Sequence, residues 1–177
     1  MNKLASIFLG LAISSTSVFA SANNANLIEV DTYKAEYQSA LDLYKAKDYE
    51  KALSALEIVA KRGEKQAQYI LGTMYLNSQG TEQDLLKSYA WLSVANEQKS
   101  KHWKKPLAML DEKLPADYLA LAKEQAKDYQ AQYGAKAQKM KCRNTKTLGS
   151  KKPTHLCTKT EVKDGFYYAS NQALAAN

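Results

Sequence analysis

Apolar residues recur at steps of three and four through residues 26–134, the spacing of amphipathic helices rather than strands. The pattern predicts helices over 28–46, 49–62, 65–76, 84–98, 101–113 and 116–133. The segment is rich in Ala, Leu, Lys, Gln and Glu, which are strong helix formers. Its prolines are Pro106 and Pro115, and Pro115 falls where proline is tolerated, at a helix start. Ahead of this pattern lie Lys3, an apolar run over 4–13 and a small-residue stretch ending Ala20-Ser21-Ala22. A positive end, a short apolar core and an A-x-A site predict a signal peptide over 1–22, cleaved near Ala20 or Ala22. Its core is shorter than the roughly 20 apolar residues of a spanning helix, so the expected product is not transmembrane but periplasmic or secreted. No cysteine follows the cleavage region, which argues against a lipid anchor.

Beyond Gly134 the period changes. Short side chains alternate from Lys139 to Thr147, then a Leu148-Gly149-Ser150 turn leads into residues 151–158, predicting a β-hairpin. Thr158 and Thr160 ahead of Glu161 predict a final short helix, fraying around Gly165. The expected organisation is a signal at 1–22, a helical body at 23–134 and a tail at 135–177.

Shifting the sequence by 36 residues brings Asp48 onto Asp84, Lys51 onto Lys87, Leu56 onto Leu92 and Val59 onto Ala95. A period in this range marks helix-pair repeats, each burying its apolar face on its neighbours. The expected fold is all-α, an α/α solenoid of antiparallel helix pairs with a small disulfide-closed hairpin.

The series Ala67, Leu71, Gly72, Met74 and Tyr75, then Gly80, then Asp84, Lys87, Trp91 and Ala95 resembles the Sel-one-like repeat (SLR), a relative of the tetratricopeptide repeat. Asp48 to Leu53 followed by Ala60 and Gly63 looks like the second helix of a preceding unit. The well-matched part runs over residues 48–98, and the resemblance implies protein–protein interaction. Physically, Ala67, Gly72 and Ala95 are small where helices approach, Tyr75 and Trp91 fill space between them, Gly80 suits a left-handed turn and Asp84 suits a cap. The sequence departs from the family pattern at Ser78 and Lys99, where glycine is usual, and at Ser88, where alanine is usual. Solenoids want about three units, so the helices after Trp103 and Pro115 must cap the stack, or a second copy must cover an open face. A Cys-x6-Gly-Ser-x6-Cys element with basic flanks, as in residues 142–157, looks like one at the ends of assorted small exported bacterial proteins.

Charge sharpens the division. The whole chain carries +7, yet residues 23–133 hold 15 Lys+Arg against 16 Asp+Glu, while residues 134–177 hold 9 against 2. Export places Cys142 and Cys157 where disulfides persist, which favours one bridge over a metal site with His155. A loop of this length is worth about 3 kcal/mol when closed, and an isolated hairpin needs such help. Lys139, Lys141, Arg143, Lys146, Lys151 and Lys152 form a basic cluster suited to an anionic lipid, lipopolysaccharide or cell-wall polymer. With two arginines against 23 lysines the chain lacks the bidentate forks of base readout, and nucleic acid is not an expected partner.

Catalytic and cofactor chemistry find no pattern. His102 and His155 have no neighbours at metal-ligand spacing, and the carboxylates lie in Lys-rich helical contexts where a solvated surface is the default. No enzyme, metal or cofactor is expected. Among the twelve tyrosines, Tyr49, Tyr75 and Tyr89 are expected to pack between helices, whereas Tyr69 and Thr73 fall off the consensus face of their helix. Repeat proteins present binding surfaces on their inner helices. Gln66, Tyr69, Thr73 and Asn77 are therefore the expected contacts to another envelope protein or peptide. The function expected is that of a non-enzymatic adaptor, with polyanion binding through the tail as the alternative.

Overall fold

The structure, a computed structural model, describes residues 26–146 and 152–169. The expected signal peptide, the expected turn at Leu148-Gly149-Ser150 and Lys151 lie outside the described residues. Strand β1 (Leu27–Glu29) leads into six helices: α1 (Val30–Lys45), α2 (Tyr49–Lys61), α3 (Lys65–Leu76), α4 (Leu85–Ala95), α5 (Lys104–Lys113) and α6 (Ala116–Tyr133). Four strands follow: β2 (Lys141–Thr145), β3 (Thr154–Thr158), β4 (Glu161–Lys163) and β5 (Phe166–Tyr168). Helices α3 and α6 cover the residues that periodicity predicts, and α4 is extended by a 3₁₀ turn at Asn96–Gln98.

The first three helices end alike. Residues Lys47, Gly63 and Ser78 adopt left-handed backbone (φ 62, 96 and 54°). The next amide reaches back each time: Asp48 to the Leu43 carbonyl, Glu64 to Val59 and Gln79 to Met74, at 3.0–3.1 Å. This is the Schellman stop, which satisfies carbonyls the helix leaves open. Next comes α4, whose N-cap Asp84 accepts from the Lys87 amide at 2.9 Å. Pro115 caps α6, where its missing N–H costs nothing.

Helix α1 packs on α2, α2 on α3 and α3 on α4, giving two stacked pairs. Gly72 is needed at the α3–α4 contact, since a Cβ there would stand 2.6 Å from Leu92 Cγ. Ser88, where the repeat usually has alanine, is wholly buried at this contact and donates its hydroxyl to the Gly72 carbonyl at 2.7 Å. Ala67, Leu71, Tyr75, Trp91 and Ala95 are all buried, whereas Lys87 lies at the edge, its ammonium 5.1 Å above the Tyr75 ring. Gly80 turns the chain at φ 73° with its Cα against the Tyr49 carbonyl.

The stack is closed by α6, which crosses α5's place in the order and packs on α4 and α2. Tyr129 meets Trp91 edge-on at 4.9 Å and Tyr133 stacks on it at 5.1 Å, so aromatic area covers the face a third repeat would have buried. Beneath, Gln68 donates to the carbonyls of Ala60 and Tyr133. Lys65 reaches Glu97 at 2.7 Å, and the same Glu97 carboxylate accepts the Ala135 amide at 2.8 Å.

The tail folds as two antiparallel pieces. Strands β2 and β3 pair with Cys142 opposite Cys157, and the two are joined by a disulfide. The final short helix expected after Thr158 is not formed: residues 161–168 are a second hairpin, β4–β5, turning through Asp164-Gly165. Its β5 adds to β1, with Ile28 opposite Tyr167, so the residues expected to start the first helix at 28 are instead strand. The reason is long-range. A three-residue strand has no stability of its own, and its partner here lies at the other end of the chain.

Candidate functional site

Residues 66, 69, 73 and 77, at steps of three and four, share one face of α3. The structure brings all four into one groove of about 510 Å³, completed by Leu41, Tyr44 and Lys45 of α1, by Ile70 and Gln79, and by Trp103 beyond α4. Tyr69 and Trp103 stack at 5.0 Å with planes 11° apart, one face of each ring turned to the other, and the pair forms one wall of the groove. Thr73 donates to the Ile70 carbonyl at 2.8 Å, and the Tyr37 hydroxyl donates to the Gln66 side-chain oxygen at 2.8 Å. Burial raises the Tyr44 pKa, as it does that of Tyr37, so these phenols stay neutral donors. The side-chain oxygen of Gln79 is buried with no hydrogen-bond partner, which leaves one acceptor unsatisfied at the groove's end.

Trp103 also borders a second cleft of about 380 Å³, between residues 98–101 and Pro153, Thr154 and His155 of the hairpin. The hairpin is docked by backbone chemistry. Cys157 donates its amide to Gln98 Oε1 at 2.8 Å, and His155 Nδ1 lies 3.3 Å from the Gln98 carbonyl. Lys99 and Lys101 line the opposite wall.

Lys141 and Arg143 alternate on β2 and are exposed, as are Lys146 and Lys152, while Lys139 lies 4.2 Å over the Tyr168 ring. A buried polar group links the tail's second hairpin to the body. Tyr33 donates to Glu64 at 3.0 Å, and Lys159 donates to the Tyr168 carbonyl at 2.6 Å beside the Tyr33 ring. Burial raises the Glu64 pKa, and burial pulls Lys159 down to about 8. Among the described residues no group of three or more His, Cys, Asp or Glu is placed to hold a metal, and no helix is long and apolar enough to cross a membrane. His102 is exposed in the turn before α5, without ligand neighbours.

Sequence reasoning placed the α3 stripe but not its facing wall. Trp103 follows α4 by several residues and carries no helical phase relation to α3, so only the fold joins it to Tyr69. Tyr44 had a weaker signal, an aromatic on the same face of α1 as Leu41.

The chain matches no family model, and no curated relative matches it. It is similar in structure to a protective antigen present in uropathogenic Escherichia coli strains that displays an SLR fold, with TM-score 0.55 and 23% identity over 67% of this chain. The chain spans only 27% of that antigen's length. Stacked helix pairs, left-handed stops at the helix ends and this likeness together establish that the chain has the SLR fold, ended by a disulfide-closed hairpin.

Proposed function

We propose that the protein is a non-enzymatic adaptor of the periplasm or extracellular space, which binds an extended segment of another envelope protein in the α1–α3 groove. The observation that carries this is the groove itself. One wall is the preformed Tyr69–Trp103 stack, and apart from Lys45, which is paired with Asp42, its polar groups are neutral donors and acceptors, as a peptide backbone requires. Its titratable side chains, Tyr44, Tyr69 and Lys45, come with no carboxylate or imidazole to serve as a general base. Gln66, Tyr69, Thr73 and Asn77 are the proposed contacts, and the SLR fold supports the reading because stacked helix pairs offer such surfaces.

The test is site-specific photocrosslinking in intact cells, with the crosslinker at 66, 73 or 77 and, as control, at Ile58, an exposed apolar residue of α2. A discrete partner crosslinked from the groove positions and not from 58 is expected. Equal yield from 58, or none from the groove, refutes the proposal.

A second reading, polyanion binding by the tail, draws support from Lys141 and Arg143, exposed at alternate positions of β2 and so on one face. Replacing both with glutamate abolishes binding to anionic polymer on that reading and leaves groove crosslinking intact on the first.

A further inference from the structure

Trp103 lines both the groove and the cleft beside the hairpin, so a chain lying across Trp103 can touch both. Resting on the peptide reading above, we propose that the second cleft is an anion subsite and that the bound segment is acidic, with carboxylates held at Lys99 and Lys101 and an apolar or aromatic side chain against Trp103.

Charge placement carries the argument. On the helices, Lys34, Lys45, Lys51, Lys61, Lys87 and Lys127 each have a carboxylate one turn away. Residues 98–110 break this rule. They contain Lys99, Lys101, Lys104, Lys105 and His102 and no acidic residue. All four lysines are exposed, and none makes an ion pair among the described residues. In a body whose net charge is near neutral, this is a local positive field without internal compensation, at the mouth of a cavity.

The backbone adds a second observation. Lys99 holds a left-handed φ of 55°, fixed by its amide on the Asn96 carbonyl at 2.8 Å. A glycine would take that conformation without strain, and a lysine keeps it at a cost in stability. Lys47 and Ser78 hold the same conformation as helix stops, so at Lys99 it is the turn that carries the side chain to the cleft. Across the cleft, Thr154 supplies a hydroxyl and His155 an imidazole, on a strand that the disulfide two residues away keeps in register. An ammonium pair facing a hydroxyl and an imidazole recognises carboxylates, and the stacked wall recognises a flat or apolar side chain.

The test uses the full exported protein with its disulfide intact. Short random peptides displayed on phage are selected against it, and synthetic fluorescent copies of the selected peptides are titrated by anisotropy. The variants are Lys99→Glu/Lys101→Glu, Lys101→Glu/Lys104→Glu as a pair free of the left-handed position, Tyr69→Ala, and Lys141→Glu/Arg143→Glu on the hairpin's exposed strand. Selected peptides are expected to place Asp or Glu beside an aromatic or apolar residue. Their affinity should fall about tenfold in either linker variant, and also weaken as salt is raised, while the hairpin variant binds normally. Peptides that are not acidic, lose binding in Tyr69→Ala and ignore linker charge reversal overturn this inference and leave the adaptor reading standing. If no peptide is selected but phosphatidylglycerol vesicles bind through the same lysines, the inference and the adaptor reading both fall.

Discussion

Glu97→Gln should destabilise the protein far more than its position at a surface turn implies. The Lys65 side chain is 3% exposed and its ammonium lies 2.7 Å from the Glu97 carboxylate, which is itself 29% exposed. Burial lowers the Lys65 pKa, and Glu97 opposes that shift. Glutamine has the same shape and still accepts the Ala135 amide, so the substitution isolates the charge. Removing one partner of a buried pair costs about 3–5 kcal/mol because the other charge is stranded. Here Lys65 keeps the Gln68 side-chain oxygen at 3.0 Å and the Val94 carbonyl at 3.4 Å, and water reaches the glutamate. A loss of about 2–3 kcal/mol follows, or about 5–10 °C in Tm for a chain of this size. Urea unfolding at several pH values tests the cause. With Glu97 gone, the folded pKa of Lys65 drops further below its unfolded value, so the unfolded state binds more protons at alkaline pH and stability rises with pH. The deficit of Glu97→Gln should therefore shrink from neutral pH toward pH ~10. Lys65→Met/Glu97→Gln should recover most of the loss. A deficit that is independent of pH, or a double variant as unstable as the single, would refute the assignment.

Other expectations rest on single features. Ser78→Gly should raise stability by about 0.5–1 kcal/mol in urea unfolding, since relief of the left-handed strain outweighs the entropy glycine adds to the unfolded chain. Gly72→Ala should lower it by about 1–3 kcal/mol despite alanine's better helix propensity, because its Cβ would overlap Leu92, and Leu92→Ala should couple to it in a double-mutant cycle. Reducing the Cys142–Cys157 bridge, 15 residues apart, should cost about 3 kcal/mol, read as a shifted urea midpoint with and without reductant. Lys159, pulled down to about 8 from 10.5, favours its neutral form when folded, so stability should climb from pH 8 toward pH 10 and Lys159→Met should flatten that climb.

The helices were legible because their apolar spacing and their local stops agree. Leu56, Leu71 and Leu92 fall on buried faces that any helical reading places inward. The Cys142–Cys157 pairing was legible from the count of two cysteines and the expectation of export, and the observed register sets Cys142 opposite Cys157. The β1–β5–β4 sheet was not. Leu27 to Glu29 continue smoothly into a helical pattern, and nothing local distinguishes them, since their partner Tyr168 lies at the far end of the chain. The β4–β5 turn does carry a local signal, since Asp164-Gly165 flanked by Val162 and Phe166 is a strong short-range hairpin mark that outweighs the helix start at Thr158 and Thr160. The candidate groove divides in the same way. Its α3 stripe follows from helix phase alone, whereas Trp103 belongs to a turn whose position is set by how α4 ends.

That ending explains why so short a solenoid suffices. A third repeat would begin where residues 99–105 instead leave the stack, and the departure is set by the left-handed stop at Lys99 and the 3₁₀ turn before it. The chain then returns as α6, whose Tyr129 and Tyr133 seal Trp91, and Glu97 at the point of departure binds both Lys65 inside and Ala135 beyond. Gln98, its neighbour, takes the hairpin through Cys157. One short turn thus ends the repeat, anchors the cap, docks the tail and swings Trp103 against Tyr69. Of the departures from the repeat pattern, Lys99 is the one that lines the cleft beside the groove. A variant that restores glycine at Lys99 should therefore gain stability while losing affinity for an acidic segment, and a gain in both would separate the strain from any binding role.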